Sequence, residues 1–174
     1  GHSYYTDIQV FSEKGITAGC GAGIYCPDNQ VTRAQMAVFL LKAEHGSTYT
    51  PPAPTGMFSD VPTWYWAAAW IEQFAREGIT AGCGPGIYCP ENAVTRAQMS
   101  IFVLKTLHGS GYVPPGAFGC FQDVPQGHWA ASWICKAASD GIASGCSSNP
   151  PLFCPDTALT RAQMADWMVN GWGW

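Results

Sequence analysis

Charge is scarce in this chain of 174 residues: Asp, Glu, Lys and Arg together make up 11% of it, against about 25% in typical soluble domains. Eight Lys and Arg face twelve acidic residues, for a net charge of −4. Gripping a nucleic-acid backbone requires clustered cations, so that class of partner is excluded. No apolar run approaches the ~18 residues of a membrane-spanning helix, and no span is expected. Also missing is a repeated grouping of His and carboxylate with Ser or Cys, the arrangement that nucleophilic catalysis needs. Asp60, Asp123 and Glu72 read as scaffold positions rather than paired catalytic carboxylates. Catalytic residues, cofactors and metals are therefore not expected. The surface falls to Ser, Thr, Gly, Pro, Gln and aromatic rings, while an apolar content of 47% suffices for a real core.

What the chain does have is repetition. The string TRAQM begins at Thr32, Thr95 and Thr160, each time after a glycine-flanked loop holding two cysteines. The first step is 63 residues and the second 65, the two extra residues falling between Cys146 and Cys154, in a loop that tolerates insertion. Units repeated at such a period cannot each bury an apolar face alone and must stack. The units are expected at residues 1–46, 57–109 and 118–171, with Pro- and Gly-rich connectors at 47–56 and 110–117. Such connectors are semi-rigid.

The eight cysteines form an even set. Three local pairs, Cys20–Cys26, Cys83–Cys89 and Cys146–Cys154, recur with the repeat, and Cys120–Cys135 is a fourth plausible pair in the last unit alone. Zinc prefers ligands two to four residues apart with a second pair close by, which this spacing does not offer. Disulfides are favoured over metal ligation or buried thiols, and with them an oxidising compartment, outside the cell or at its surface.

Each unit reads as helix, loop, helix. In the second, Ala67, Trp70, Ile71, Phe74 and Ala75 follow the i, i+3, i+4, i+7, i+8 spacing of a buried helical stripe, and Gly78 supplies the left-handed stop. The second helix starts at TRAQM. Thr32 with Gln35, Thr95 with Gln98 and Thr160 with Gln163 have capping-box spacing. Val31 with Met36, and its two counterparts, has the spacing of a hydrophobic staple. The first unit lacks the Phe-x-Asp-Val segment that opens the other two. Its first residues, Gly1-His2-Ser3, align with Gly127-His128-Trp129. The missing segment is expected to come from elsewhere, either because the chain is a fragment or because a neighbouring subunit supplies it.

These motifs resemble the S-layer homology domain in triplicate. The matching residues are Phe58–Val61 and Phe121–Val124 (F-x-D-V), Trp66-Ala67 and Trp129-Ala130, the GIT or GIA after each first helix, and TRAQ where the family has TRAE. The resemblance covers essentially the whole chain. It implies an all-α fold with one helix from each unit in a central bundle of pseudo-threefold arrangement. It also implies clefts between units that grip the pyruvylated sugar of a cell-wall polysaccharide. The residues carried over are Arg33, Arg96 and Arg161, Asp60 and Asp123, and Trp66 and Trp129. The glutamine of TRAQ and the cysteine loops depart from the family pattern.

Apart from any resemblance, a cation at the first turn of a helix sits at the positive end of its dipole. Each arginine therefore calls for a partner: either an anionic ligand, or loop carbonyls or a local carboxylate such as Asp28, Glu91 or Asp156. Trp70 and Trp133 read as core. Trp64, Trp66 and Trp129 lie where a groove would be lined, and Trp167, Trp172 and Trp174 form a C-terminal cluster with the character of a contact surface. Two functions follow: a non-catalytic cell-surface anchor to wall polysaccharide, or a self-assembling subunit of an extracellular filament or layer that associates through aromatic faces.

Overall fold

A computed structural model describes residues 3–174 and contains six helices and a hairpin of two two-residue strands. The helices are α1 (Tyr5–Glu13), α2 (Arg33–His45), α3 (Ala68–Arg76), α4 (Arg96–His108), α5 (Ala131–Ser139) and α6 (Arg161–Trp172). Strands β1 (Ser147–Ser148) and β2 (Pro151–Leu152) pair inside the third cysteine loop. The fold is all-α. The alignment of Gly1 and His2 with the third unit lies outside the described residues.

All three TRAQM helices start as their spacing predicts. Thr32, Thr95 and Thr160 each accept a hydrogen bond from the backbone N–H of the glutamine three residues on, whose side chain accepts from the threonine N–H in return. Such a box satisfies two of the amides that a helix start leaves orphaned.

The two kinds of helix differ in how they are buried. In α2, Ala34, Met36, Ala37, Phe39, Leu40 and Leu41 are all buried, so apolar residues cover more than one face. A helix of that kind belongs inside. The first helices α3 and α5 are amphipathic, burying Ile71 and Phe74, or Ile134 and Ala137.

The main helix packing runs between units rather than within them. Helix α3 packs on α2, α5 on α4, and α1 returns to pack on α6, while α4 touches both α2 and α6. Each first helix thus lies on the second helix of the preceding unit, in cyclic order. The same order appears in the backbone ahead of the TRAQM helices. Val31 N–H donates to Leu159 O (2.9 Å), Leu159 N–H to Val94 O (2.8 Å) and Val94 N–H to Val31 O (2.9 Å). All three residues are fully buried, so this closed ring is shielded from water.

The four cysteine pairs are disulfide-bonded: Cys20–Cys26, Cys83–Cys89, Cys120–Cys135 and Cys146–Cys154. The connectors are docked rather than free. His45 stacks on Tyr49, which meets the edge of Trp70 (5.9 Å), and His108, Tyr112 and Trp133 repeat the arrangement (6.0 Å). Trp70 and Trp133 are thus half-buried under their connectors.

Ahead of the second and third units, one position holds the connector by two different chemistries. Glu72, 1% exposed, accepts from the backbone N–H groups of Thr55, Gly56 and Met57 and from Thr55 Oγ1, and Arg76 lies 2.7 Å from its Oε2. Cys135 stands at the equivalent place on α5 and is bonded to Cys120, the counterpart of Met57. The carboxylate clamp of one unit is a covalent staple in the next. Replacing Cys120 and Cys135 with serine opens a closure of 15 residues. It is expected to lower the unfolding free energy by about 2–3 kcal/mol in the chain-entropy picture, read as a lower midpoint in urea.

Candidate functional site: the joins between units

The three arginines are buried at the joins, with 4%, 3% and 3% of their surface exposed for Arg33, Arg96 and Arg161. Each reaches into the cysteine loop of the next unit. Arg33 Nε donates to Tyr88 O (2.8 Å) and Nη2 to Thr80 Oγ1 (3.4 Å). Arg96 Nε donates to Phe153 O (2.7 Å) and Nη2 to Ser144 O. Arg161 Nε donates to Tyr25 O (2.8 Å) and Nη2 to Thr17 Oγ1 (3.2 Å). Each guanidinium also lies over an aromatic ring of that loop: Tyr88 at 4.6 Å, Phe153 at 4.5 Å and Tyr25 at 4.6 Å. The tyrosines reciprocate, with Tyr88 OH donating to Arg33 O and Tyr25 OH to Arg161 O.

Loop carbonyls and aromatic faces therefore answer the cation at each helix start, in place of Asp28, Glu91 or Asp156. Burial pulls each guanidinium below its ordinary pKa, opposed at Arg33 by Tyr88 and Asp60 and at Arg161 by Tyr25. Burial likewise pushes the Tyr25 phenol up to about 12, against the pull of Arg161. An arginine remains charged through such a change, and the pairing stays cationic at every physiological pH.

The aspartates of Phe-x-Asp-Val bind backbone. Asp60 accepts from the N–H groups of Tyr88 and Cys89 (2.8 and 2.7 Å), and Asp123 from those of Phe153 and Cys154 (2.7 and 2.6 Å). Cys89 and Cys154 have φ of 59° and 57°. This left-handed turn aligns successive N–H groups into a nest that suits an anion. Both oxygens of each carboxylate are engaged in shaping the loop that the preceding unit's arginine grips.

Trp66 and Trp129 are 61% and 60% exposed. Trp129 and Arg33 come together in one cleft of about 210 Å³, whose other walls include Thr80, Gln98, Ile101 and Phe102. Residues of all three units meet there. The C-terminal tryptophans depart from expectation. Trp167 is buried at 1%, while Trp172 and Trp174 fold back on the core. Lys14 Nζ lies 5.4 Å from the Trp174 ring. A glycine pair that lets the last turn close on Val169 O converts the apparent contact surface into packing.

Glu72 is a scaffold position, as the sequence reads it, but its clamp on the Thr55–Met57 connector went unread. Its signal was present in the alignment, since a cysteine that must be stapled stands at the same position in the third unit.

The joins define a class: a helical repeat module whose units are sewn to one another in cyclic order by buried arginines and clamped loops. The S-layer homology domain family matches residues 1–37 and 58–100, and the chain carries that domain. The third unit repeats the same caps, loop clamp and arginine bonds. Among similar proteins, a cellulosome-anchoring protein of Acetivibrio thermocellus is 29% identical over 150 residues, covering 83% of this chain and 32% of that protein. The exoglucanase XynX of Acetivibrio thermocellus is 30% identical over 161 residues, 91% of this chain and 14% of the enzyme. The middle cell wall protein of Brevibacillus brevis is 28% identical over 166 residues, 94% of this chain and 14% of that protein. The chain spans a third or less of each of these relatives.

Proposed function

We propose that this chain is a non-catalytic module of the cell surface that anchors to wall polysaccharide through the clefts between its units. Anchoring at the surface accords with the domain family and with relatives named as a cellulosome-anchoring protein and a middle cell wall protein. The observation that carries the cleft reading is the meeting of Trp129 with Arg33 in a cavity that also offers Gln98 and Thr80. A flat exposed indole beside a buried cation and polar rim groups suits a sugar ring bearing a carboxylate, as a pyruvylated unit does. Arg96 and Arg161 occupy equivalent places, Trp66 stands in the second unit where Trp129 stands in the third, and Asp60 and Asp123 serve the clefts by holding their loops.

Calorimetric titration with purified wall polysaccharide tests this. Trp129→Ala is expected to weaken binding by about tenfold, a loss of ~1.4 kcal/mol, with an unchanged unfolding midpoint. Equal affinity of Trp129→Ala, Trp66→Ala and the parent protein would remove the cleft from the reading. A second reading, self-assembly into a layer or filament, draws on the exposed Trp64, 83% accessible beside Trp66. Concentration-dependent growth in light scattering, lost in Trp64→Ser, would favour it.

A further inference from the structure

The TRAQM helices wall the joins with a narrow strip. Over residues 33–41, 96–104 and 161–169 every residue is buried except two, which are half-buried: Gln35 and Val38, Gln98 and Ile101, Gln163 and Asp166. On α4 both of these line the cleft that holds Arg33, together with Phe102 and the exposed Trp129. The cyclic order of the units carries the correspondence round. Arg33 lies 5.8 Å from the Phe102 ring, Arg96 5.2 Å from the Trp167 ring and Arg161 5.6 Å from the Phe39 ring. Each arginine thus faces the residue that adjoins a strip, so Ile101 walls the Arg33 cleft, Asp166 the Arg96 cleft and Val38 the Arg161 cleft.

Two walls are therefore apolar at this place and one carries a carboxyl group. Asp166 Oδ1 accepts from Asn170 Nδ2 (3.0 Å) one turn on. Burial and, after it, Asp7 of α1 push the Asp166 carboxyl up, against the pull of Asn170 and of Arg96. The group stands within the field of the cleft arginine and answers part of its charge. A second difference lies beside it. Thr80 and Thr17 accept from Arg33 and Arg161, but Ala143 holds that place in the third unit, and Arg96 turns to Ser144 O instead.

We propose that Asp166 withholds the Arg96 cleft from a sugar bearing a carboxylate, so that the chain takes two such ligands, at Arg33 and Arg161, rather than three. A ligand carboxylate entering beside Asp166 meets a like charge in a partly enclosed cleft, and like charges held close together disfavour each other's ionised form. Selectivity then comes from a repulsive element built into one cleft, while the other two keep an apolar wall for the sugar ring. The inference rests on the cleft reading and deepens it by assigning which clefts are used.

The test uses the 174-residue chain and a pyruvylated methyl hexoside, a single sugar with a single carboxylate, so that each cleft counts once. Titration is followed by NMR through the side-chain Nε–H signals of Arg33, Arg96 and Arg161, each held by a loop carbonyl. Arg33 and Arg161 are expected to shift and saturate, with Arg96 silent over the same range. Asp166→Val copies the wall of the first unit and is expected to bring Arg96 into response. Affinity there should be about tenfold below the other two, because Ser3 stands where Trp66 and Trp129 stand. The reverse change, Ile101→Asp, is expected to silence Arg33 and leave Arg161 responding as before. Equal responses of all three arginines in the parent protein would overturn the assignment while leaving the cleft reading intact. So would an Arg96 that stays silent in Asp166→Val. Silence of all three arginines in the parent would remove the cleft reading and this inference with it.

Discussion

Replacing Arg96 with methionine is expected to lower the unfolding free energy by about 3–4 kcal/mol, read from urea unfolding by tryptophan fluorescence. The side chain is 3% exposed and bridges Phe153 O and Ser144 O while lying over the Phe153 ring. Methionine fills much of the volume but offers no donor. Two carbonyls at the join lose their partner at about 1–3 kcal/mol each, partly offset because a buried cation is removed with them. Lysine is expected to recover less than half of the loss, since one ammonium cannot span the fork that Nε and Nη2 provide. Hydrogen exchange localises the damage: the Val31, Val94 and Leu159 amides should lose protection together. Loss confined to the Cys146–Cys154 loop would show the three joins to be independent.

Glu72→Gln is expected to cost about 3 kcal/mol and to flatten the acid limb of the stability profile. In the parent protein burial pushes the Glu72 carboxyl up, but the hydrogen bonds from Met57, Thr55 and Gly56 overcome this and hold it below the ordinary range. A folded-state pKa below the unfolded value of about 4.3 makes a contribution that is present above that pH. The contribution is lost as pH falls through the folded value. Unfolding midpoints measured from pH 7 down to 2 should therefore drop more steeply for the parent than for Glu72→Gln. In the variant the new amide group also turns a donor toward backbone N–H groups, which adds to the cost at neutral pH. Met57→Cys with Glu72→Cys transplants the staple of the third unit, and its oxidised form is expected to regain stability relative to Glu72→Gln with no acid limb from this position. Failure of the two cysteines to join would show that the two connectors are held in different geometries.

Much of this molecule is legible from local patterns because much of it is local. Thr and Gln three residues apart dictate each helix start, and cysteines six or eight residues apart close each loop. What stayed hidden is set by distant partners. Arg33 meets Tyr88 across 55 residues and Arg161 meets Tyr25 across 136, and no periodicity announces such pairings. A cation at each helix start called for a partner, with anionic ligand, loop carbonyl and local carboxylate all open from the sequence; the structure supplies loop carbonyls and, unforeseen, aromatic rings. The tail misled for a related reason. Its tryptophans read as exposed because their cover, including Lys14 from the other end of the chain, is remote in sequence.

The cyclic hydrogen bonds among Val31, Leu159 and Val94 give each of the three seams one buried backbone bond, although only two seams are crossed by continuous polypeptide. Which unit comes first is therefore a property of the gene rather than of the folded object. A permuted gene that opened just after α2, so that the Ser47–Gly56 connector still led into α3, and that joined the present ends with a linker would keep the three ring bonds. Evolution is free to cut such a circle wherever a tether is most useful.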